Sequence, residues 1–201
     1  MQHAVILAHP NPQSFNAAVA RAYCAEIERL GHQTEVRDLY ALGFDPRLQA
    51  HEFPWAKGFH PGADVVAERE VLTRANVIVF VYPFWFNSPP AMLKGFVDRV
   101  FGMGFGYEPD LPGTRPLLGG KVLVSISTSG APQHWVDQTG ALRDVRARFD
   151  GLLSAVCGLT VFEHLHLGGV TPGLPADDVE EMLERVAAMA RHYFGPPAQD
   201  Q

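Results

Sequence analysis

The sequence predicts a doubly wound α/β domain: five parallel strands in the order 2-1-3-4-5, with helices on both faces of the sheet. Three observations carry this. Short apolar runs rich in branched residues alternate along the chain with segments of helical period. One run, "NVIVFVYP" (76–83), is almost unbroken in its apolarity, as a strand buried on both faces requires. The first run is followed by "HPNPQSFN" (9–16), a strand-to-helix turn, and such a turn places backbone N–H groups where an anion is favoured.

The elements follow in order. "AVILA" (4–8) is the first strand, and Phe15, Val19, Tyr23, Ile27 and Leu30 then recur at helical spacing up to Gly31. "QTEVRDLY" (33–40) alternates as a second strand. The Pro- and Gly-punctuated stretch 41–64 has no period and reads as a long surface excursion, of the kind that is often functional. Its helical tail, "DVVAEREVLTRA", leads to the third strand at 76–83. "PPAMLKGFVDRVF" starts with proline in its first turn and carries an apolar stripe at Leu93, Phe96, Val97, Val100 and Phe101, so it reads as a helix. "KVLVSIST" (121–128) and "TVFEHLHL" (160–167) are the fourth and fifth strands, separated by a helical stretch over roughly 140–156. A helix over 177–194 closes a single domain spanning 1–194, and 195–201, with its "GPPAQDQ", reads as a flexible tail.

Composition excludes several function classes. A formal charge of −6 and a pI near 5.8, with no Lys/Arg run, argue against a nucleic-acid partner. Cys24 and Cys157 are the sole cysteines, so neither a disulfide framework nor a thiolate zinc site is expected. No long apolar span or secretory pattern precedes the first strand, and a cytoplasmic protein is the expectation. His164 and His166 share one face of a strand, yet no third ligand is evident and no metal is assigned. Lys94 and Asp98, four apart on a helix, read as an exposed ion pair.

In this fold the ligand lies at the carboxyl ends of the strands, near the switch between the first and third. The loops expected to converge there are "HPNPQSFN", "YPFWFNSPP" and "STSGAPQHW". Ser14 is placed to cap the first helix, which alone would account for it. Phe84, Trp85 and Phe86 stand where turn residues are usual, and they suit either a core cap or a flat apolar wall for a planar ring. Pro83, Pro89 and Pro90 lack N–H groups and leave the donors from Phe84 to Asn87 for a ligand. The small residues of "STSGA" suit a plain turn or a close backbone approach to a ring, where N–H groups stabilise negative charge.

"AHPNPQSFNAAV", "RDLYALGFDP" and "YPFWFNSPPAMLKGFVDRVFGMGFGYE" resemble the NAD(P)H:quinone oxidoreductase family of flavodoxin-like flavoproteins, from the first strand to about Gly168. That resemblance implies a bound FAD or FMN, NAD(P)H as hydride donor, a quinone or similar planar acceptor, and a homodimer with the flavin at its interface. It places His9, Ser14, Phe15 and Asn16 in the phosphate loop, Pro83, Phe84, Trp85, Phe86 and Asn87 in the isoalloxazine loop, and Thr128, Ser129 and Gly130 in the small-residue loop. The family's glycine pair is Ser129-Gly130 here. Where DT-diaphorase has a tyrosine and, six residues on, a histidine, this chain has Trp135 and Ala141, leaving His134 as the nearest catalytic proton donor. Ancillary flavoprotein subunits of potassium efflux systems resemble the same family, so a membrane transporter is the alternative partner. A one-electron carrier is disfavoured, because the hydroxyl- and glycine-rich phosphate loop of flavodoxin is missing.

Overall fold

The computed structural model describes residues 1–110 and 113–196. Most of the expected tail, 197–201, lies outside the described residues. The parallel strands are β1 (Gln2–Leu7), β2 (Gln33–Asp38), β3 (Val77–Pro83), β6 (Val122–Ser129) and β7 (Thr160–Gly168), in the order β2-β1-β3-β6-β7. This is the predicted order once β4 (Tyr107–Asp110) and β5 (Gly113–Pro116) are set apart as an antiparallel pair that is not among the expected elements. Every residue of β3 is buried, as its unbroken apolar run requires.

Helices α1 (Phe15–Arg29) and α7 (Ala176–Phe194) cover one face, packing Val19, Tyr23, Ile27, Val186 and Ala190 against Val79, Val81 and Ile126. Helices α2 (Ala63–Arg74), α3 (Ala91–Val100), α5 (Ala141–Val145) and α6 (Leu152–Cys157) cover the other, around Ile78, Phe80, Tyr82 and Phe96. The helix expected over 140–156 needs correction. Helix α4 (Gln133–Thr139) starts earlier, Gly140 turns the chain at φ 72°, and a π-helical segment, Arg146–Gly151, joins α5 to α6. Glycine serves there because its φ is open to the left-handed region.

The excursion after β2 is anchored rather than free. Gly95 lets Pro46 lie directly on α3, since a Cβ at that position would stand 2.1 Å from the Pro46 carbonyl oxygen. Arg99, on the same helix and buried, donates to Glu52 at 2.7 and 2.8 Å, to Asp64 at 2.6 and 2.9 Å, and to the Asp45 carbonyl at 2.5 Å. Both carboxylates of this cluster come from residues outside α3, so the arginine ties excursion, α2 and α3 together. No helix among the described residues is long and apolar enough to cross a membrane.

Candidate functional site

The loops expected to converge do meet at the carboxyl edge of the sheet. Thr128 at the end of β6 joins them: its carbonyl accepts from Phe84 N–H at 2.6 Å, and its hydroxyl accepts from Asn16 Nδ2 at 3.0 Å. The His9 and Trp85 rings approach with centroids 6.1 Å apart, closing the contact between the first and second loops.

In the first loop, Ser14 caps α1 by accepting from Ala17 N–H, and the N–H groups of Phe15 and Asn16 have no acceptor among the described residues. They are the orphan donors that any helix start exposes. His9 accepts from Asn11 N–H at 3.0 Å, and burial lowers its pKa, so its ring keeps the turn closed as a neutral group. The donors at this corner are uncharged, and the helix end supplies the partial positive charge that suits a phosphate.

The second loop departs from the expectation that all donors from Phe84 to Asn87 are free. Phe84 N–H is held by Thr128, and Trp85 and Ser88 exchange backbone hydrogen bonds across a tight turn, leaving Phe86 and Asn87 N–H without partners among the described residues. Both central residues have positive φ, 52° and 54°. Such a turn is built for Asn-Gly, and a bulky residue at its first central position is strained. The aromatic wall also divides. Phe84 is buried against His166, with ring centroids 4.6 Å apart, and so caps the core; Trp85 is 42% exposed and Phe86 is fully exposed. Strain of this kind, held where it serves no packing, points to a binding function.

In the third loop, Gly130 and Ala131 N–H also lack acceptors among the described residues, while Ser129 Oγ donates to the Ala131 carbonyl at 2.9 Å. His134 is exposed on the first turn of α4, with no hydrogen-bond partner among the described residues, so the loop read as "STSGAPQHW" ends in helix. An open cleft of about 520 Å³ is lined by Phe86, Asn87, Lys94, Arg148 and Phe149. Lys94 pairs with exposed Asp98 at 2.6 Å, as its spacing predicts.

Beneath the third loop lies a polar system that the sequence reading missed. Ser125, Ser127 and Ser129 alternate along one face of β6 beside His164 and His166 of β7, and all five side chains are buried. They form a chain: Asp150 Oδ2 to His164 Nδ1 at 2.5 Å, His164 Nε2 to Ser127 Oγ at 2.7 Å, Ser127 Oγ to His166 Nδ1 at 2.8 Å, and His166 Nε2 to Ser129 Oγ at 2.9 Å. Ser125 Oγ donates to the other Asp150 oxygen at 2.8 Å. A signal for it was present, since three serines on one face of a central buried strand each demand a partner.

The comparisons with known proteins bear on the family and the fold. A family model described as "Flavodoxin-like fold" matches residues 1–190. An "Uncharacterized NAD(P)H oxidoreductase" of Haemophilus influenzae is 35% identical over 175 residues, 85% of each chain. A "Ribosyldihydronicotinamide dehydrogenase [quinone]" of Pongo abelii is 32% identical over 162 residues, covering 71% of this chain and 69% of that protein. For a dehydrogenase-like relative in Penicillium crustosum the match spans 64% of the relative's length. The solved "NAD(P)H:quinone oxidoreductase from Methanothermobacter marburgensis" superposes with a TM-score of 0.84 at 28% identity, over 96% of both chains. The chain belongs to the flavodoxin-like family, within its group of NAD(P)H:quinone oxidoreductases.

Proposed function

We propose that this protein is a flavin-dependent NAD(P)H:quinone oxidoreductase, passing hydride from a dihydronicotinamide through FAD or FMN to a quinone or similar planar acceptor. The observation that carries the reading is the set of N–H pairs unpartnered among the described residues, Phe15 and Asn16, Phe86 and Asn87, Gly130 and Ala131, on loops tied together by Thr128. The donor set fits a flavin: a phosphate suits the start of α1, and a ring that gains negative charge suits uncharged N–H donors. A bound flavin supplies the ring that takes up and releases the hydride.

The chain's own residues bind and orient. Asn16 and Phe84, both fastened to Thr128, hold the first two loops in register with β6, so the donors keep their spacing without a ligand. Trp85 and Phe86 offer apolar faces on which donor and acceptor can stack in turn, so the protein contributes mainly placement. The names of the relatives support the donor and acceptor classes. Exposed Phe53, Trp55, Phe86 and Leu152 supply apolar surface for a second copy, and we read the protein as a cytoplasmic homodimer.

The test is a flavin titration of the purified protein followed by NADH or NADPH and then menadione in one cuvette, with light scattering for the oligomeric state. A flavin spectrum that bleaches and returns, with parallel lines in steady-state kinetics, is the expected result. Failure to bind either flavin overturns the reading. Binding without turnover would favour a regulatory subunit of a potassium efflux system, which capture of its membrane partner would then check.

A further inference from the structure

We propose that Asp150, His164, Ser127, His166 and Ser129 form a proton path with its mouth at Ser129, which delivers one proton to the acceptor reduced in the adjoining site. The proposal rests on the reading above for the acceptor and on the geometry for the path. The chain's polarity follows from its outer end. The Ala131 carbonyl can only accept, so Ser129 Oγ–H points to it and Ser129 accepts from His166 Nε2–H. Burial, and then His164, hold the His166 pKa down at about 4, so this ring is neutral and its Nδ1 accepts from Ser127 Oγ–H. Ser127 in turn accepts from His164 Nε2–H. At the inner end Asp150 Oδ2 and His164 Nδ1 lie too close not to share a proton. Each link therefore carries one proton, and all point outward.

Surrounding groups favour movement of a proton over storage of a charge. His166 is faced by Asp137 from α4, Arg185 from α7 and Arg146 from the π-helical segment. Arg185 reaches the His166 carbonyl at 3.4 Å, and Arg146 donates to the His164 carbonyl at 2.5 Å and to Glu163 at 3.0 Å. Both arginines reach backbone carbonyls, and neither bonds a side chain of the path. On the β3 side stands Tyr82, whose hydroxyl near Asp150 is buried without a partner among the described residues. The inner end thus has a spare hydroxyl, and Phe84 from the ligand loop covers His166.

A quinone that becomes a hydroquinone gains a hydride, which comes from the dihydronicotinamide, and one proton. As Ser129 Oγ–H turns from the Ala131 carbonyl and gives that proton to the acceptor oxygen, His166 Nε2–H passes to Ser129 Oγ, Ser127 Oγ–H to His166 Nδ1, and His164 Nε2–H to Ser127 Oγ. Each bond to hydrogen that breaks is matched by one that forms. The Asp150–His164 pair keeps its shared proton, ends one proton short, and regains it from water through Ser129 by the reverse shift. No protein atom is oxidised or reduced.

Two measurements test this on the full chain, with Ser127→Ala to cut the path and Ser127→Thr to restore its hydroxyl. Imidazole ¹⁵N resonances of the protein without flavin should show His166 neutral between pH 6 and 8, protonated at Nε2 and accepting at Nδ1, with the Nδ1 shift moving in Ser127→Ala. In the flavin-loaded protein, single-turnover reduction of menadione should slow by about 100-fold or more in Ser127→Ala, the scale of a lost general acid. Its solvent isotope effect should shrink, flavin reduction by NAD(P)H should be unchanged, and Ser127→Thr should recover the rate. Equal slowing of both half-reactions, no slowing, a cationic His166 or the opposite tautomer would overturn the path. A protein that takes no flavin yet shows the expected tautomers would sink the reductase reading, and proton delivery with it, while upholding the polarity of the hydrogen-bonded chain.

Discussion

Two buried polar systems flank the same sheet and are built on opposite principles. The cluster at Arg99 is made of full charges, each answered by an opposite charge in bidentate geometry, and it joins segments far apart in sequence. The chain from Asp150 to Ser129 is made mostly of hydroxyls and imidazoles, groups that can donate or accept, and it runs across two neighbouring strands. The first is locked because no partner can exchange its role; the second keeps every link while the direction of donation reverses. A fixed clamp suits the excursion, and a reversible chain suits the floor of a site.

The largest expected effect comes from breaking the clamp. Removing one partner of a buried pair leaves the other charge uncompensated, so Arg99→Ala should cost about 3–5 kcal/mol, read as a fall in the urea midpoint. Protease cutting between residues 45 and 62 should rise with it, because the excursion loses its anchor. A loss under about 1 kcal/mol would mean that Gly95 and Pro46 hold the segment without the arginine.

Acid separates the systems next. Burial raises the Glu52 pKa, but Arg99 and the N–H groups of Gln49 and Gly62 outweigh it and hold the carboxylate at about 2. Its stabilisation is present above pH 4.5 and is lost as pH falls toward 2. His166 loses its contribution in the same direction but in a higher window: its pKa falls from 6.5 to about 4, chiefly through burial, and that of His3 falls to about 3 for the same reason. Between those limits the unfolded chain binds the extra protons, so stability should drop as pH falls from 6.5 to about 4. At ~1.4 kcal/mol per pH unit the His166 contribution is roughly 3 kcal/mol. Urea melts at pH 7, 5.5 and 4 check this, and a flat profile would show the imidazole protonating inside the fold.

Ser127→Ala comes third. It strips the partner from both imidazoles at once, leaving a donor and an acceptor buried without bonds, for a cost of about 1–3 kcal/mol. A midpoint that does not move would mean that a buried water fills the gap.

The uneven legibility of these features in the sequence has physical causes. Strand periodicity placed all five parallel strands within a residue or two, because burial on both faces leaves little choice of residue. The antiparallel pair β4 and β5 was hidden, since "YEPD" and "GTRP" carry turn residues and no alternation. The pairing of Arg99 with Glu52 spans 47 positions, and no local period encodes it. Among Phe84, Trp85 and Phe86 the residue types are nearly equivalent; the backbone turn alone sends one ring inward and leaves another in solvent. Asp150 is hidden for a related reason, since a π-helical turn brings it to the sheet and ordinary helical spacing does not foresee that.

The smallest effect concerns that turn. Holding Phe86 at φ 52° costs ~1–2 kcal/mol, and its ring is fully exposed, so no burial offsets the strain. Phe86→Gly removes the strain but adds ~0.5–1 kcal/mol of backbone entropy cost, leaving a net gain of at most about 1.5 kcal/mol. The ligand-free variant should therefore melt slightly higher than the wild type. If it also binds FAD and FMN more weakly, the ring contributes only when a ligand covers it, and the strain is sustained by binding. If it melts lower, the ring already packs in the free protein, against a second copy of the chain, and light scattering of the variant should then show the dimer weakened.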